Sequence, residues 1–260
     1  MKRLLFALGT TLLTLSAPVS ASAQSLDAII KSGKIRIATD IGLPPYGILN
    51  AKNEPDGIDI AVGKALAAGL GVTYEHVPVT GNNRIAYLQT NKVDLVISTF
   101  SITADRAKSV DFSIPYALQR SIVVAPAEVE VKTYDDLLKL RVGVARGTTH
   151  EKRVLSRAPE VKFIRFDDDA AAQAALMSGQ VDAIGINDSA ASTLAKRYPD
   201  RKFEIKLENA PSYLGIGVNR NNPDLLRWVN TWVFENRVNG RLDEIYKSYV
   251  GIDLPQLPSF

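Results

Sequence analysis

The sequence predicts an α/β protein with mainly parallel sheets. Short apolar runs alternate with longer helix-periodic stretches along most of the chain. No cysteine is present, so the fold rests on an apolar core and not on disulfides. One helix-to-strand unit occurs twice, as Leu88-Gln89-Thr90-Asn91-Lys92-Val93-Asp94 and as Leu176-Met177-Ser178-Gly179-Gln180-Val181-Asp182. Each copy is a helix end, a polar turn and a Val-Asp strand start. Any helix-to-strand turn can share that pattern, so the echo leaves one sheet or two open. If it is real, the chain crosses between lobes near Tyr116 to Arg120 and returns near Pro211 to Gly215.

In chain order, Lys2 and Arg3 precede an apolar run from Leu4 to Leu15 and the small residues Ala21-Ser22-Ala23. This is the pattern of a secretory signal peptide over residues 1–23, and it predicts a periplasmic protein. A membrane anchor needs about 20 uninterrupted apolar residues. The next expected elements are strands at Lys34 to Ala38, Thr73 to Val77, Val93 to Ile97 and Ser121 to Val124, then Arg141 to Ala145, Val161 to Phe166, Val181 to Ile186 and Leu214 to Val218. Helices are expected at Ile58 to Leu70, Asn82 to Thr90, Tyr134 to Lys139, Thr148 to Ser156, Asp168 to Met177 and Asp188 to Arg197. A helical tail from Asn222 to Tyr249 carries both tryptophans, Trp228 and Trp232, on one apolar face, where core packing is the natural role.

The charges nearly balance, with 31 basic against 28 acidic residues, two of the basic ones in the leader. Nucleic acid is therefore not an expected partner. Thiol chemistry has no residue to use, and the two histidines, His76 and His150, form no HExxH pair. No GxSxG elbow or phosphate-binding loop occurs, and no cofactor or metal is expected. The run Asp167-Asp168-Asp169 lacks EF-hand spacing and suits a helix start.

Two stretches carry recognisable chemistry. In Val93 to Tyr116 a buried strand leads into the hydroxyls of Ser98, Thr99, Ser101 and Thr103, followed by Asp105 and Arg106. With Thr103 as a helix N-cap, free backbone amides, the Thr99 and Ser101 hydroxyls and the Arg106 guanidinium would form a receptor for a small carboxylate. A solvated loop with Arg106 paired to Asp105 or Asp111 explains the same residues. The second stretch, Arg141 to His150, is a strand, a glycine turn and two threonines, Thr148 and Thr149, which could donate to the same ligand from the opposite side. His150 lies beside them as a further lining candidate, whereas His76, in a strand, reads as structural.

The ordered series Ala38-Thr39-Asp40 with Pro44-Pro45-Tyr46, Gly57-Ile58-Asp59-Ile60, Lys92 to Ile97, Ser101-Ile102-Thr103-Ala104-Asp105-Arg106, Val110 to Tyr116, Val142-Gly143-Val144 with Gly147-Thr148-Thr149, and Gly179 to Ala183 resembles the polar amino-acid class of periplasmic solute-binding proteins, family 3. The resemblance covers essentially all of residues 24–260. It implies a type II periplasmic-binding fold: two lobes joined by two hinge strands, which close on an amino acid and present it to the membrane permease of an ABC importer. The implied limits are 24–117 for the first segment of lobe 1, 118–213 for lobe 2 and 214–260 for the return segment, in a monomer. The implied ligand site comprises Asp40, Leu43, Arg84, Ser98, Thr99, Ser101, Arg106, Ala145, Thr148, Thr149, Asn187 and Asp188. Arg106 would take the α-carboxylate, flanked by Thr99 and Ser101.

Two positions depart from the family's pattern. Leu43 stands where an aromatic residue often stacks on the ligand, and Asn187 stands where an acidic residue usually receives the α-ammonium, with Asp188 next. Which of Asn187 and Asp188 faces the cleft stays open. Arg84 resembles the arginine that takes the side-chain carboxylate in glutamate and aspartate binders, unless it is a surface arginine. Two arginines at one cleft repel unless a dianion lies between them, which favours an acidic ligand. Cyclohexadienyl dehydratases share this resemblance, and there Asp188 or Asp169 would be the proton donor.

Overall fold

The computed structural model describes residues 25–258; the expected leader, 1–23, lies outside them. A short helix, α1 (Leu26–Ser32), capped by the Ser25 hydroxyl, leads into β1 (Lys34–Thr39). A small hairpin, β2 (Ile48–Leu49) and β3 (Pro55–Asp56), precedes α2 (Ile58–Leu70) and β4 (Thr73–Pro78). Then follow α3 (Arg84–Gln89), β5 (Leu95–Val96), α4 (Ala104–Ala107) and β6 (Asp111–Phe112). The long strand β7 (Ala117–Pro126) leaves this group, and after a 3-10 turn at Tyr134–Lys139 come β8 (Val142–Ala145), α5 (Thr149–Leu155), β9 (Phe163–Phe166) and α6 (Asp169–Met177). β10 (Ala183–Asn187), α7 (Asp188–Arg197) and β11 (Phe203–Leu214) complete the second group. The chain closes with β12 (Gly217–Val218), α8 (Pro223–Val238) and α9 (Arg241–Val250).

The strands form two five-stranded sheets, in the orders β4-β1-β5-β12-β6 and β11-β7-β10-β8-β9. β1 lies parallel between β4 and β5, and β8 lies parallel between β9 and β10. The inner strands β5, β8 and β10 are buried on both faces, which is why they read as continuous apolar runs and not as alternating ones. In the first sheet Ile35, Ile37 and Leu95 face Leu66, Val229 and Trp232, while Ala38, Val96 and Leu88 pack around Phe100 on the other side. The second sheet divides in the same way between a cluster with Leu176, Ile184 and Leu194 and one with Val123, Val144 and Val154. Burying one such aliphatic side chain contributes about 1.5–3 kcal/mol.

The two sheets belong to two lobes, and the chain passes between them along β7 and back along β11. These two strands pair antiparallel from Leu214 opposite Ala117 to Phe203 opposite Pro126. The structure differs from the sequence-based elements in several places. Only Leu95 and Val96 of the expected Val93 to Ile97 strand enter the ladder, and the Leu214 to Val218 run splits between β11 and β12. The expected tail helix breaks at Gly240, whose φ of 82° favours glycine. Trp232 is buried in the core, and Trp228 packs against the same cluster half-buried. No described helix is long and apolar enough to cross a membrane.

Candidate functional site

β1 and β5 run parallel, so their C-terminal ends open on one side, where Asp40 and the segment Ser98 to Arg106 emerge. Thr99 has a φ of 42°, a left-handed conformation that costs a β-branched residue on the order of 1–3 kcal/mol. Asp59, in the first turn of α2, offsets that cost. Its Oδ2 accepts the Thr99 amide at 2.7 Å, and its Oδ1 accepts the Tyr116 hydroxyl at 2.7 Å. Burial nevertheless pushes this carboxyl up to about 7, with the two donors pulling it back only in part. The Ser98 hydroxyl accepts the Asp40 amide at 3.1 Å and so fixes the entry to the cleft.

Two buried arginines flank the ring of Phe100, with guanidinium carbons 5.0 Å (Arg84) and 4.9 Å (Arg106) from its centroid. Arg84 donates to the carbonyls of Gly81 at 3.0 Å and Ser98 at 2.6 Å. Arg106 donates to Ser101 O at 2.8 Å and, across the lobes, to Gly147 O at 2.8 Å. Burial, followed by the charge of Arg84, lowers Arg106 to about 9. Arg84 is thus not a surface arginine, being 4% exposed. Nor does Arg106 pair with Asp105 or Asp111: Asp105 pairs with Lys152 of the other lobe, and Asp111 with Arg220. Thr103 is the N-cap of α4, as its position suggests, accepting the Arg106 amide at 3.2 Å.

The second lobe meets this surface with the loop after β8. Gly147 has a φ of 71°, and a Cβ there would lie 3.0 Å from the Asn82 Cα, so the lobes touch backbone to backbone. The Thr148 hydroxyl donates to Ala145 O at 2.9 Å, and the Thr149 and Ser101 hydroxyls share a hydrogen bond of 3.3 Å between lobes. His150 is buried against the Ser121 hydroxyl at 2.9 Å, and burial lowers it to about 3, so its ring is neutral. Leu43, from the first lobe, packs into an apolar cluster of the second with Ile122, Ile186 and Ala172. Asp168 caps α6 by accepting the Ala171 amide at 2.8 Å, which leaves Asp169 to turn inward.

Between the lobes these groups enclose a cleft lined by Asp40, Leu43, Arg84, Thr99, Ser101, Arg106, Thr148, Thr149 and His150, all expected from the sequence, together with Gly81, Gln119 and Asp169. About 10 Å³ is open to the centre of a water molecule, roughly room for one water. A ligand the size of an amino acid therefore fits only if the lobes part.

Four expected site residues lie outside the lining, each for a visible reason. Ser98 spends its hydroxyl and carbonyl on Asp40 and Arg84. Ala145 gives its carbonyl to Thr148. Asn187 caps α7, its Oδ1 accepting the Ala190 amide at 2.7 Å. Asp188 turns to the strand between lobes, accepting the Arg120 amide at 3.2 Å. Neither Asn187 nor Asp188 lies on the lining of the closed cleft. Asp169, expected only as the proton donor of a dehydratase, and Gln119, not expected, take up the space instead. Asp169 is 6% exposed, its Oδ1 has no hydrogen-bond partner, and burial, reinforced by Asp40, pushes it up to about 7. The lining holds two arginines and two aspartates in all, so its formal charges balance.

Residues 35–252 match the family model for bacterial extracellular solute-binding proteins, family 3. The L-cystine-binding protein TcyJ of Escherichia coli (strain K12) is 27% identical over 253 residues, which is 95% of each chain. A solved ancestral arginine-binding protein bound to glutamine is similar with a TM-score of 0.80 and 34% identity, covering 85% of this chain and 99% of that one. A solved ancestral amino acid-binding protein described as a precursor of cyclohexadienyl dehydratase reaches a TM-score of 0.78 at 32% identity, over 86% of this chain and 99% of its own.

Proposed function

The chain belongs to the bacterial extracellular solute-binding proteins, family 3, and from that premise we propose that it captures a polar amino acid in the cleft and delivers it to the permease of an ABC importer. The observation that carries this reading is the convergence of Arg106, Arg84, Asp40 and Asp169 from both lobes on one closed cleft. Arg106 binds the α-carboxylate, exchanging the carbonyls of Ser101 and Gly147 for a charged acceptor. Thr99, Ser101, Thr148 and Thr149 surround it, and Leu43 seals the apolar edge. β7 and β11 act as the hinge, and a ligand gripped by both lobes shifts the open and closed populations. The protein works as a monomer in the periplasm after its leader is removed, without catalysis.

An acidic side chain is supported by Arg84, which faces the same cleft as Arg106. When Asp40 and Asp169 are both ionised they balance both arginines, and charge then favours a zwitterion and does not require a dianion. The test is thermal unfolding of the protein with a panel of amino acids and dicarboxylates, since a ligand at about 100 times its dissociation constant adds about 2.7 kcal/mol. Arg106→Ala should weaken the best ligand by at least ~3 kcal/mol, because its carboxylate would be buried unpaired. Near-normal affinity would remove Arg106 from the site. Loss of discrimination between glutamate and glutamine in Arg84→Ala would establish the acidic preference.

One observation favours a second reading, a cyclohexadienyl dehydratase-like enzyme. Asp169 is a buried carboxyl raised to about 7, so at neutral pH about half of the molecules hold a proton there that it could donate to a leaving hydroxyl. Incubation with arogenate and prephenate decides: formation of the aromatic product ends the pure-binder reading, and no turnover ends this one.

A further inference from the structure

We propose that Asp169, together with the amide oxygen of Gln119, receives the α-ammonium of the ligand, so that the amino acid is held by its carboxylate from one lobe and by its ammonium from the other. This rests on the amino-acid reading of the cleft and specifies it. An ammonium group carries only donors, so its site must offer acceptors that nothing else has used. Among the described residues that line the cleft, two buried side-chain oxygens lack a donor: Asp169 Oδ1 and Gln119 Oε1. A buried acceptor without a partner is destabilising, and a ligand that supplies the missing N–H groups removes that penalty.

The other candidates are less suited. Asp40 is only half-buried, and its Oδ1 already accepts the Gly42 amide at 2.9 Å. Asn187 Oδ1 is taken by the Ala190 amide, and its buried Nδ2 is a donor without an acceptor, which would oppose an ammonium. Asp188 accepts from Arg120 and Ser189 outside the cleft. The charges that face Asp169 are Asp40 at the end of β1, Arg84 of α3 and Asp168 on its own helix. Arg106 and the neutral His150 line the same cleft.

The division of labour gives closure a cause. Arg106 sits on the first lobe and Asp169 on the second, so a molecule with a carboxylate alone reaches the second lobe only through the Thr148 and Thr149 hydroxyls. One that carries both groups adds a charged contact to the second lobe and gains more from bringing the lobes together.

The experiment is titration calorimetry with the proteinogenic L-amino acids, each beside its 2-hydroxy acid, in which a hydroxyl replaces the ammonium. With wild-type protein at pH 8, one or more amino acids should bind well and the matching hydroxy acid poorly. Asp169→Asn should weaken that amino acid by about 100-fold and the hydroxy acid by no more than about threefold. A second measurement needs no variant. Below pH 7, where Asp169 takes up its proton, wild-type affinity for the amino acid should fall about tenfold per pH unit, while that for the hydroxy acid, whose carboxylate stays ionised, should not. Unchanged affinity in Asp169→Asn, or parallel pH profiles for the two compounds, would overturn the assignment and leave the amino-acid reading standing. Binding of no panel member by the wild type would overturn that reading and the assignment with it.

Discussion

The two lobes are built on one device and finished differently. In the first, the Asp94 carboxylate at the start of β5 accepts the Arg36 amide at 2.8 Å, its Nε at 3.1 Å and its Nη2 at 2.7 Å. In the second, Asp182 at the start of β10 accepts the same three donors of Arg141 at 2.8, 3.1 and 2.5 Å. The backbone amide of each aspartate returns a bond to the carbonyl of its arginine, at 2.9 and 2.8 Å. The sequence echo at Leu88 to Asp94 and Leu176 to Asp182 is therefore one structural unit used twice. At the opposite strand ends the lobes diverge. The first holds a strained threonine in place with a buried carboxylate, whereas the second turns at a glycine and leaves its buried carboxylate, Asp169, without a partner. A shared frame thus positions the cleft, and the use made of one aspartate in each lobe decides which wall is fixed beforehand and which waits for a ligand.

The largest expected effect breaks the first wall. Asp59→Ala strands the Thr99 amide and the Tyr116 hydroxyl, both buried, and should destabilise the protein by about 3 kcal/mol or more. Urea unfolding measures this, and amino-acid affinity should fall with it because Thr99 loses its tether. A loss under about 1 kcal/mol would mean that Thr99 holds its conformation unaided.

The twin clamps offer a sharper comparison. The side chain of Asp94 is 2% exposed and that of Arg36 26%, against 27% for Asp182 and 55% for Arg141. Geometry is matched, so solvent decides. Asp94→Ala should cost about 2–3 kcal/mol, and Asp182→Ala less than half as much, because water can satisfy the freed Arg141. Equal midpoint shifts in denaturant would show that the two clamps are set by geometry and not by burial.

Much of this organisation is legible in the sequence because it follows from apolar runs and cap residues. β1, β4, α2 and α7 lie where periodicity puts them, and nine of the residues that line the cleft were expected. What escapes has no local signal. β11 runs through Asn209 and Pro211 with no apolar stretch, and is a strand only because β7 offers its backbone as a partner. Gln119 is one polar residue in that partner strand. Asp169 is hidden by its neighbour: in a run of three aspartates at a helix start, any one can cap, and only packing shows that Asp168 does so. Asn187 and Asp188 mislead for the converse reason, since a polar pair after a strand suits a cleft and a helix cap equally well.

The smallest effect is the one whose sign discriminates best between the lobes. The carboxyls of Asp59 and Asp169 are both raised to about 7 from an ordinary 3.8. The folded protein therefore binds these protons more tightly than the unfolded chain. Each carboxyl leaves stability intact below about pH 4, erodes it as pH rises toward 7 and exerts its full cost above that. His150, lowered to about 3, works in the opposite sense, costing stability as pH falls below 6.5. Asp169→Asn removes one of the two carboxyl contributions and no hydrogen bond of Oδ1, so at pH 8, without ligand, the variant should be more stable by about 1–2 kcal/mol. The gain should vanish at pH 4, where wild-type Asp169 is already protonated. Thermal unfolding of both proteins from pH 4 to pH 8 measures the difference. A variant less stable than wild type at pH 8 would mean that Asp169, like Asp59, is a structural carboxylate, and that the second wall is fixed before any ligand arrives.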